Sequence, residues 1–330
     1  MCEVQFLQDY IFSYPTFYIN MKAFSSVMLG PHYNHTVETP ATFFLVGIPG
    51  LQSSHLWLAV SLSAMYTTAL VGNSIIMPMF CFLCVLAAVD IVMASSVVPK
   101  MVSIFFSGHS SISFRACFTQ MYFVHAATAV ETGLLLAMAF DHYVAICKPL
   151  HYKNILTPRV MLRMSVTITI RAVIFMTPLS WMISHLPFCG SHVVPHSDCE
   201  HMAVAKLACA DSMPSCLYSL IGSSIIVGSD VVFIAASYTL VLRAVFGLSS
   251  KNAQWKALST CGSHVGVMAL YYLPGMVSVY ISWLGQDSVP LHTQVLLADL
   301  YLVIPPTLNP IIYGLRTKQM RKLLPVGTHL

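Results

Sequence analysis

The distribution of charge near the amino terminus most constrains what this chain can fold into. Residues 39–89, between Glu38 and Asp90, contain no Asp, Glu, Lys or Arg. An apolar helix needs roughly 20 residues to cross the hydrocarbon core of a bilayer, so this stretch is long enough for two crossings. A soluble domain of ordinary size has no need of such a run. The pattern therefore predicts a protein that is inserted in a membrane.

Composition extends this prediction to the whole chain. Of the 330 residues, 57% are hydrophobic and only 8% are charged, whereas a soluble domain carries about 25% charged residues. We predict an all-α membrane protein, with an N-terminal segment over 1–54, a seven-helix transmembrane domain over 55–314 and a tail over 315–330. The tail carries four basic residues and is predicted to form a short interfacial helix 8. The predicted spans are about 55–77, 80–105, 117–146, 160–183, 217–243, 257–283 and 289–314.

Three signals predict that the N-terminus is extracellular. In this orientation, eleven of the sixteen Lys and Arg residues fall in two inner loops and the tail, as the positive-inside rule expects. Asn34 begins an Asn-His-Thr glycosylation sequon, which favours an extracellular location. Four cysteines in the polar stretches indicate disulfides in an oxidising compartment, and their number leaves three pairings open. These cysteines are Cys117, Cys189, Cys199 and Cys209.

The first 27 residues have no role that we can assign from their sequence. Glu3 and Asp9 interrupt residues 1–20, and no basic segment precedes an apolar one, so a signal peptide is not predicted. Met1, Met21 and Met28 are alternative start sites.

An ordered set of short motifs runs through the predicted spans. They are GIPGL at 47–51, GN at 72–73, LAAVD at 86–90, MAFDHYVAIC at 138–147, SY at 237–238, KALSTCGSH at 256–264 and PTLNPIIY at 306–313. Over residues 28–322 the chain resembles an olfactory receptor of the class I (fish-like) group, within the rhodopsin-like G-protein-coupled receptors. The opening motif and the long second outer loop resemble class I in particular.

The resemblance implies a multi-pass receptor of the plasma membrane, with no catalytic residues, no cofactor and no nucleic-acid partner. The implied partners are a small-molecule odorant, membrane lipid and a heterotrimeric G protein of the stimulatory olfactory type. The implied disulfides are Cys117–Cys199 and Cys189–Cys209. The implied G-protein coupling residues are Asp141, His142 and Tyr143. The implied switch residues in the seventh helix are Asn309, Pro310 and Tyr313.

Asp90 and Glu131 are carboxyl groups near the middle of the second and third spans. An ionisable group at this depth is costly and normally faces the bundle interior with a partner. Two neighbouring carboxyls should hold at least one proton or cation between them. We therefore predict a proton or sodium site coupled to Asn309, and no other metal site; the alternative is a hydrogen-bonded pair that only fixes helix packing. For Asp230 and Asp299 a structural role is at least as well supported.

The resemblance places the odorant between the outer halves of helices 3, 5, 6 and 7, under the second outer loop. Burying a carboxylate requires a cation, and Trp283 stands where some acid-binding relatives carry one. Only His125 and His201 can become charged there, so we expect a neutral or weakly polar odorant. Tyr272 resembles the switch aromatic of the sixth helix. The candidate ligand-binding residues are His125, Thr128, Ala129, His201, Tyr272, Met276, Val279, Tyr280 and Trp283.

Two departures from the family pattern lie on the inner side. His142 stands where the family has an arginine, and histidine is shorter and mostly neutral near pH 7. Only four residues separate Asn73 from Pro78, so the first inner loop and its basic residues are missing. We expect the chain to reverse near Met77 and Pro78, with the proline in the first turn of the second helix.

These features predict a ligand-gated conformational switch rather than an enzyme. The first alternative is a receptor-like product with impaired trafficking or coupling, because of His142 and the shortened loop. A transporter or channel is a remote alternative, because the sequence lacks internal repeats. The chain also lacks a nucleophile–base set, metal-ligand spacing and a phosphate loop, so catalysis is not predicted.

Overall fold

The computed structural model describes residues 41–78, 82–189, 191–247, 249–284 and 289–316. These residues include seven helices that are long and apolar enough to cross a membrane. The predicted fold class, an all-α bundle of seven transmembrane helices, is therefore confirmed. The helices are α1 (His55–Ile76), α2 (Phe82–Ser107), α3 (Phe114–Cys147), α4 (Pro158–Ser184), α5 (Met213–Phe246), α6 (Lys251–Leu284) and α7 (Leu291–Arg316).

Three predicted features fall outside these residues. The Asn34 sequon, most of the N-terminal segment and the greater part of helix 8 belong to stretches that the structure does not describe.

The helix ends are set by local chemistry. The Ser113 hydroxyl accepts a hydrogen bond from Ala116 N and caps α3, and the Thr157 hydroxyl accepts one from Val160 N and caps α4. At the inner end of α1, Met77 N donates to Asn73 O. Pro78 lies in a turn and has no N–H with which to continue α1. The chain reverses between α1 and α2. The placement of Pro78 in the first turn of α2 stays a prediction, because residues 79–81 lie outside the described part of the chain.

Burial is uneven among the seven helices. In its most apolar stretch, α3 has 67% of its residues buried, whereas α4, α5 and α6 each have 22%. Helix α3 therefore forms the centre of the bundle and packs against α2, α4 and α5. On the outer faces Leu162, Val232 and Leu273 keep 65%, 65% and 64% of their surface exposed. Large apolar side chains at this exposure suit contact with lipid rather than water.

A small sheet closes the outer end of the bundle, a feature that hydropathy did not predict. Strand β1 (Thr42–Leu45) lies between β2 (Ser110–Ser113), which is antiparallel to it, and β3 (Val193–Val194), which is parallel. Phe43 of β1 is fully buried, and its ring centroid lies 5.6 Å from that of Phe188. The segment before α1 is thus packed into the loop that covers the bundle.

Two disulfides hold that loop, residues 185–212, which is the second outer loop. They join Cys117 to Cys199 and Cys189 to Cys209, the pairings that the family resemblance implies. Gln120 of α3 strengthens the first connection, since its Oε1 accepts a hydrogen bond from Cys199 N at 3.0 Å. The loop is therefore fixed over the outer end of α3.

Candidate ligand site and switch residues

Two of the predicted ligand-binding histidines meet beneath the second outer loop. His201 begins a short helix, His201–Ala205, and is 1% exposed. Its Nε2 lies 2.9 Å from Ser215 Oγ of α5, and its ring centroid lies 6.3 Å from that of His125 on α3. Burial lowers the pKa of His201 to about 3, and the nearby His125 contributes a smaller part of this shift. The His201 imidazole is therefore neutral at physiological pH.

Tyr271 makes one of the contacts between α6 and α3, and the sequence interpretation missed this residue. Its side chain is 3% exposed, and its hydroxyl donates to Thr128 O at 2.8 Å. The Tyr301 hydroxyl of α7 donates to Tyr271 Oη at 3.4 Å. Tyr272, which was predicted as the switch aromatic, is half-buried, with its ring edge-on to Tyr271. The structure thus joins α3, α6 and α7 through Tyr271.

Three of the other predicted ligand-binding residues lie on an open face of α6. Met276, Val279 and Tyr280 keep 41%, 40% and 48% of their surface exposed. The side chain of Trp283 lies outside the described part of the chain.

Asp90, Glu131 and Asn309 meet in the middle of the bundle. Asn309 Nδ2 donates to Asp90 Oδ1 and Oδ2 at 3.2 and 3.1 Å, and it lies 3.4 Å from Glu131 Oε1. All three side chains are at most 4% exposed. One amide therefore links carboxyl groups from α2 and α3 to α7. The arrangement brings together the three residues of the predicted ion or proton site.

The motif Gly72-Asn73 attaches α1 to the same region of α7. Asn73 Nδ2 donates to Pro306 O at 2.9 Å. A Cβ atom at Gly72 would lie 2.7 Å from Pro310 Cβ, which is too close for any side chain at that position. Glycine is thus required for α1 to approach α7 at Pro310.

At the inner end of α3, His142 contacts its own helix and α6. Its Nδ1 lies 2.6 Å from Met138 O, and its ring is stacked on that of His264 of α6, with centroids 5.0 Å apart. Asp141 Oδ1 accepts a hydrogen bond from the Tyr152 hydroxyl at 2.7 Å. Tyr143 packs against the buried inner ends of α5 and α6. The three predicted coupling residues therefore join α3 to its neighbouring helices and to the adjoining inner loop.

An ion pair within the membrane joins α4 to α5. Arg171 Nη1 and Nη2 donate to Asp230 Oδ1 and Oδ2 at 2.7 and 2.8 Å. Asp230 is 1% exposed, and the Arg171 side chain is 26% exposed. Arg171 and Asp230 each stand out in the sequence as a charged residue within an apolar segment. The sequence does not show that they are partners. The bidentate contact neutralises the arginine, which is the permanent cation nearest Ala129 among the described residues.

A second group of titratable residues lies where the second outer loop meets α7. His196 Nδ1 is 2.5 Å from Asp198 Oδ1, and Ser197 Oγ donates to Asp299 Oδ2 at 2.8 Å. Burial opposes a charge on His196, but the carboxylates of Asp198 and Asp299 outweigh that effect and raise its pKa to about 9. Hydropathy gives no signal for this group, because its members lie about 100 residues apart in the chain.

Comparison with known proteins identifies the family. The family model described as olfactory receptor matches residues 62–326. Human olfactory receptor 52I2 is 75% identical over 98% of this chain and 95% of its own length. Human olfactory receptor 52I1 is 78% identical over 89% of this chain and 94% of its own length, and human olfactory receptor 51E2 is 42% identical over 86% and 92%.

Neither the fold nor these relatives support an impaired receptor-like product, a transporter or a channel. Proteins of this kind are receptors rather than enzymes, and they lie in the plasma membrane as multi-pass proteins. The match over most of its length shows that this chain belongs to the olfactory receptor family of G-protein-coupled receptors.

Proposed function

We propose that this receptor binds a neutral odorant beneath the second outer loop and activates a stimulatory olfactory G protein. The contact that carries the proposal is the hydrogen bond from the Tyr271 hydroxyl to Thr128 O. Thr128 lies one helical turn from His125, whose ring neighbours that of His201. A ligand that displaces His125 or His201 therefore acts next to the hydrogen bond that connects α3 to α6.

The electrostatics of the site favour a neutral ligand over a carboxylate. His201 is neutral, since its pKa is about 3, and Arg171 is already paired with Asp230. A carboxylate buried here would lack a counter-charge, which costs several kcal/mol. A hydroxyl or carbonyl group needs only one hydrogen bond, and His201 Nδ1 has no hydrogen-bond partner among the described residues. An alcohol, ketone or aldehyde of short to medium length fits these conditions.

Ligand binding is converted into signalling by a shift between inactive and active arrangements. A ligand shifts the equilibrium only by its difference in affinity for the two states. Breaking the bond between Tyr271 and Thr128 removes about 1 kcal/mol that holds α6 against α3. That amount changes a two-state equilibrium roughly fivefold. Residues Asp141, His142 and Tyr143 form the face that meets the G protein.

The test is a cyclic AMP assay in cells, with surface display measured through an N-terminal epitope tag. Straight-chain alcohols and carboxylic acids of equal carbon number are compared as ligands. We expect the alcohol to act at lower concentration, and His201→Ala to reduce that response at unchanged surface display. The control His109→Ala removes an exposed histidine outside the bundle.

The outcomes separate the parts of the proposal. Greater potency of the acid would overturn the neutral ligand, and an unchanged response in His201→Ala would remove His201 from the site. Tyr271→Phe should raise basal signalling. Tyr280→Phe makes the same change on the exposed face of α6 and serves as the comparison. A response that appears only with a G protein of another type would overturn the stimulatory coupling.

We further propose that Asp90 and Glu131 share a sodium ion or proton that Asn309 links to α7. The support is the burial of both carboxyls around one amide, which supplies donors but no positive charge. Replacing external sodium with a large organic cation should shift odorant potency if sodium binds. Asp90→Asn should abolish that shift. An equal potency with both cations favours the proton, and a sodium shift that persists in Asp90→Asn refutes the site.

A further inference from the structure

The inner end of α4 carries a group of exposed basic side chains. Arg159 and Arg163 lie one helical turn apart on α4, and Lys153 belongs to the short helix of the loop that leads into α4. The Thr157 hydroxyl caps the same end, where the aligned peptide dipoles add a partial positive charge. The inner end of α4 therefore concentrates positive charge from side chains and backbone.

The protein offers these cations no counter-charge. Residues 132–197 contain a single acid, Asp141, and its Oδ1 already accepts a hydrogen bond from the Tyr152 hydroxyl. Within the described part of the chain, Lys153, Arg159 and Arg163 form no ion pair with an acid. Their counter-charge therefore comes from outside the chain, either from dissolved ions or from the membrane.

An apolar stripe continues from the two arginines along the outward face of α4. Its exposed members are Leu162, Val166, Ile170 and Ile174. Successive residues of a helix are 100° apart, so these side chains and both arginines fall within about 120° on one face. From Arg163 to Ile174 the stripe is about 16 Å long, close to half of a hydrocarbon core of about 30 Å. The face therefore has the length of one leaflet, with its positive charge at the level of the headgroups.

We propose that this face of α4 binds an inner-leaflet phospholipid whose headgroup carries more than one phosphate. Guanidinium groups bind phosphate oxygens in a bidentate way. Two arginines and a neighbouring lysine match several phosphates better than the single phosphate of an ordinary anionic lipid. The acyl chains lie along the apolar stripe. A soluble polyphosphate would make the first of these two interactions without the second.

The bound lipid would also restrain the second inner loop. Lys153 follows Tyr152, whose hydroxyl attaches this loop to Asp141 of α3. A cavity of about 450 Å³ lies beside the loop, lined in part by Leu150 and Lys153, and it leaves room for a bulky headgroup. A headgroup held by Lys153 and Arg159 therefore connects the loop to the inner end of α4.

The experiment is a lipid titration of the full chain in detergent, followed by native mass spectrometry. The probes are phosphatidylinositol bisphosphate, phosphatidylserine and phosphatidylcholine with the same short acyl chains. We expect the bisphosphate lipid to bind at least about tenfold more tightly than phosphatidylserine, because each basic residue near an anionic headgroup contributes about fivefold. Arg159→Gln and Arg163→Gln should each weaken this binding about fivefold, and the double variant about twenty-fivefold. Lipid binding requires neither an odorant nor a G protein, so its absence would leave the proposed receptor function intact.

Two matched variants locate the binding site. Arg243→Gln removes an exposed arginine from the inner end of α5, so it makes the same change in net charge at another place on the inner side. It should leave the affinity for the bisphosphate lipid unchanged. Arg159→Lys keeps the charge but not the bidentate donor, so it should lose less affinity than Arg159→Gln.

Three results would overturn the proposal. Equal affinities for the bisphosphate lipid and phosphatidylserine would refute the preference for several phosphates. Equal losses in Arg243→Gln and Arg159→Gln would show a general attraction to positive charge and remove the site from α4. Inositol trisphosphate, a headgroup without acyl chains, should bind at least about tenfold more weakly than the lipid. Equal binding of the two would refute the role of the apolar stripe and identify a soluble polyphosphate as the ligand.

Discussion

The ion pair between Arg171 and Asp230 gives a quantitative test of how α4 and α5 are held together. The Asp230→Asn substitution keeps the size of the side chain but removes its charge and one of the two oxygen acceptors. Both guanidinium contacts, at 2.7 and 2.8 Å, depend on the carboxylate. The arginine is then left beside Ala129 and Tyr272 without a counter-charge. At neutral pH a guanidinium cannot escape by losing its proton.

The expected loss follows from burial. Breaking a buried ion pair by removing one partner costs about 3–5 kcal/mol. Because the Arg171 side chain is 26% exposed, we expect the lower end, about 3 kcal/mol. At about 2 °C per kcal/mol, the melting temperature should fall by about 6 °C. Arg171→Met should cost less, because an unpaired carboxyl group can neutralise itself by binding a proton.

The assay is thermal unfolding of the purified receptor, with the double variant Arg171→Met, Asp230→Leu completing the cycle. We expect the double variant to melt within about 2 °C of the parent, because no uncompensated charge remains. Asp211→Asn serves as the control for an exposed acid. An Asp230→Asn variant that melts with the parent would refute the argument. A double variant as unstable as Asp230→Asn would show that packing, and not charge, sets the loss.

Three further predictions concern the two ends of the bundle. His142→Arg should raise the maximal cyclic AMP response per receptor at the surface, because arginine carries a permanent cation beyond the ring of His264; an unchanged response would show that histidine is sufficient. Below pH 6.5 the unfolded state protonates His201, whereas the folded state does not until about pH 3, so His201 by itself lowers the stability by about 2 kcal/mol as the pH falls from 7.5 to 5.0, while His196, with its pKa raised to about 9, acts in the opposite direction. The difference in stability between the parent and His201→Gln isolates the first effect and should change by about 2 kcal/mol over this range; a difference that does not change with pH would contradict the role of His201. Replacing Cys189 and Cys209 by serine opens a loop with a sequence separation of 20 and should cost about 3 kcal/mol, measured as a lower melting temperature; equal melting would show that other contacts hold the loop.

Local sequence was sufficient to predict the seven spans. Whether a segment crosses a bilayer depends on its own length, hydropathy and lack of charge, and these are read from consecutive residues. The same holds for helix ends such as Thr157, where a capping side chain and a following proline lie together in the sequence. Family motifs added the pairing of Cys117 with Cys199, which the number of cysteines alone left open.

The tertiary structure determines the direction in which individual side chains point. Tyr271 and Tyr272 are neighbours on α6, yet their directions differ by about 100°, and only Tyr271 reaches Thr128 O. A helix that is apolar on every side carries no strong pattern to mark which face is buried. The sequence interpretation named Tyr272, whereas the hydrogen bond to α3 is made by its neighbour Tyr271. The role of Tyr272 as the switch aromatic stays a prediction.

The fold also determines which charged residues form pairs. Arg171, Asp230, His196 and Asp299 were visible in the sequence as polar residues within or beside apolar segments. Hydropathy shows that such a residue needs a partner, but it does not identify the partner. Arg171 meets Asp230 only because α4 packs against α5. The sequence of this protein determined which segments enter the membrane, and the packing of those segments determined which polar groups meet, because partners on different helices are related by no local rule.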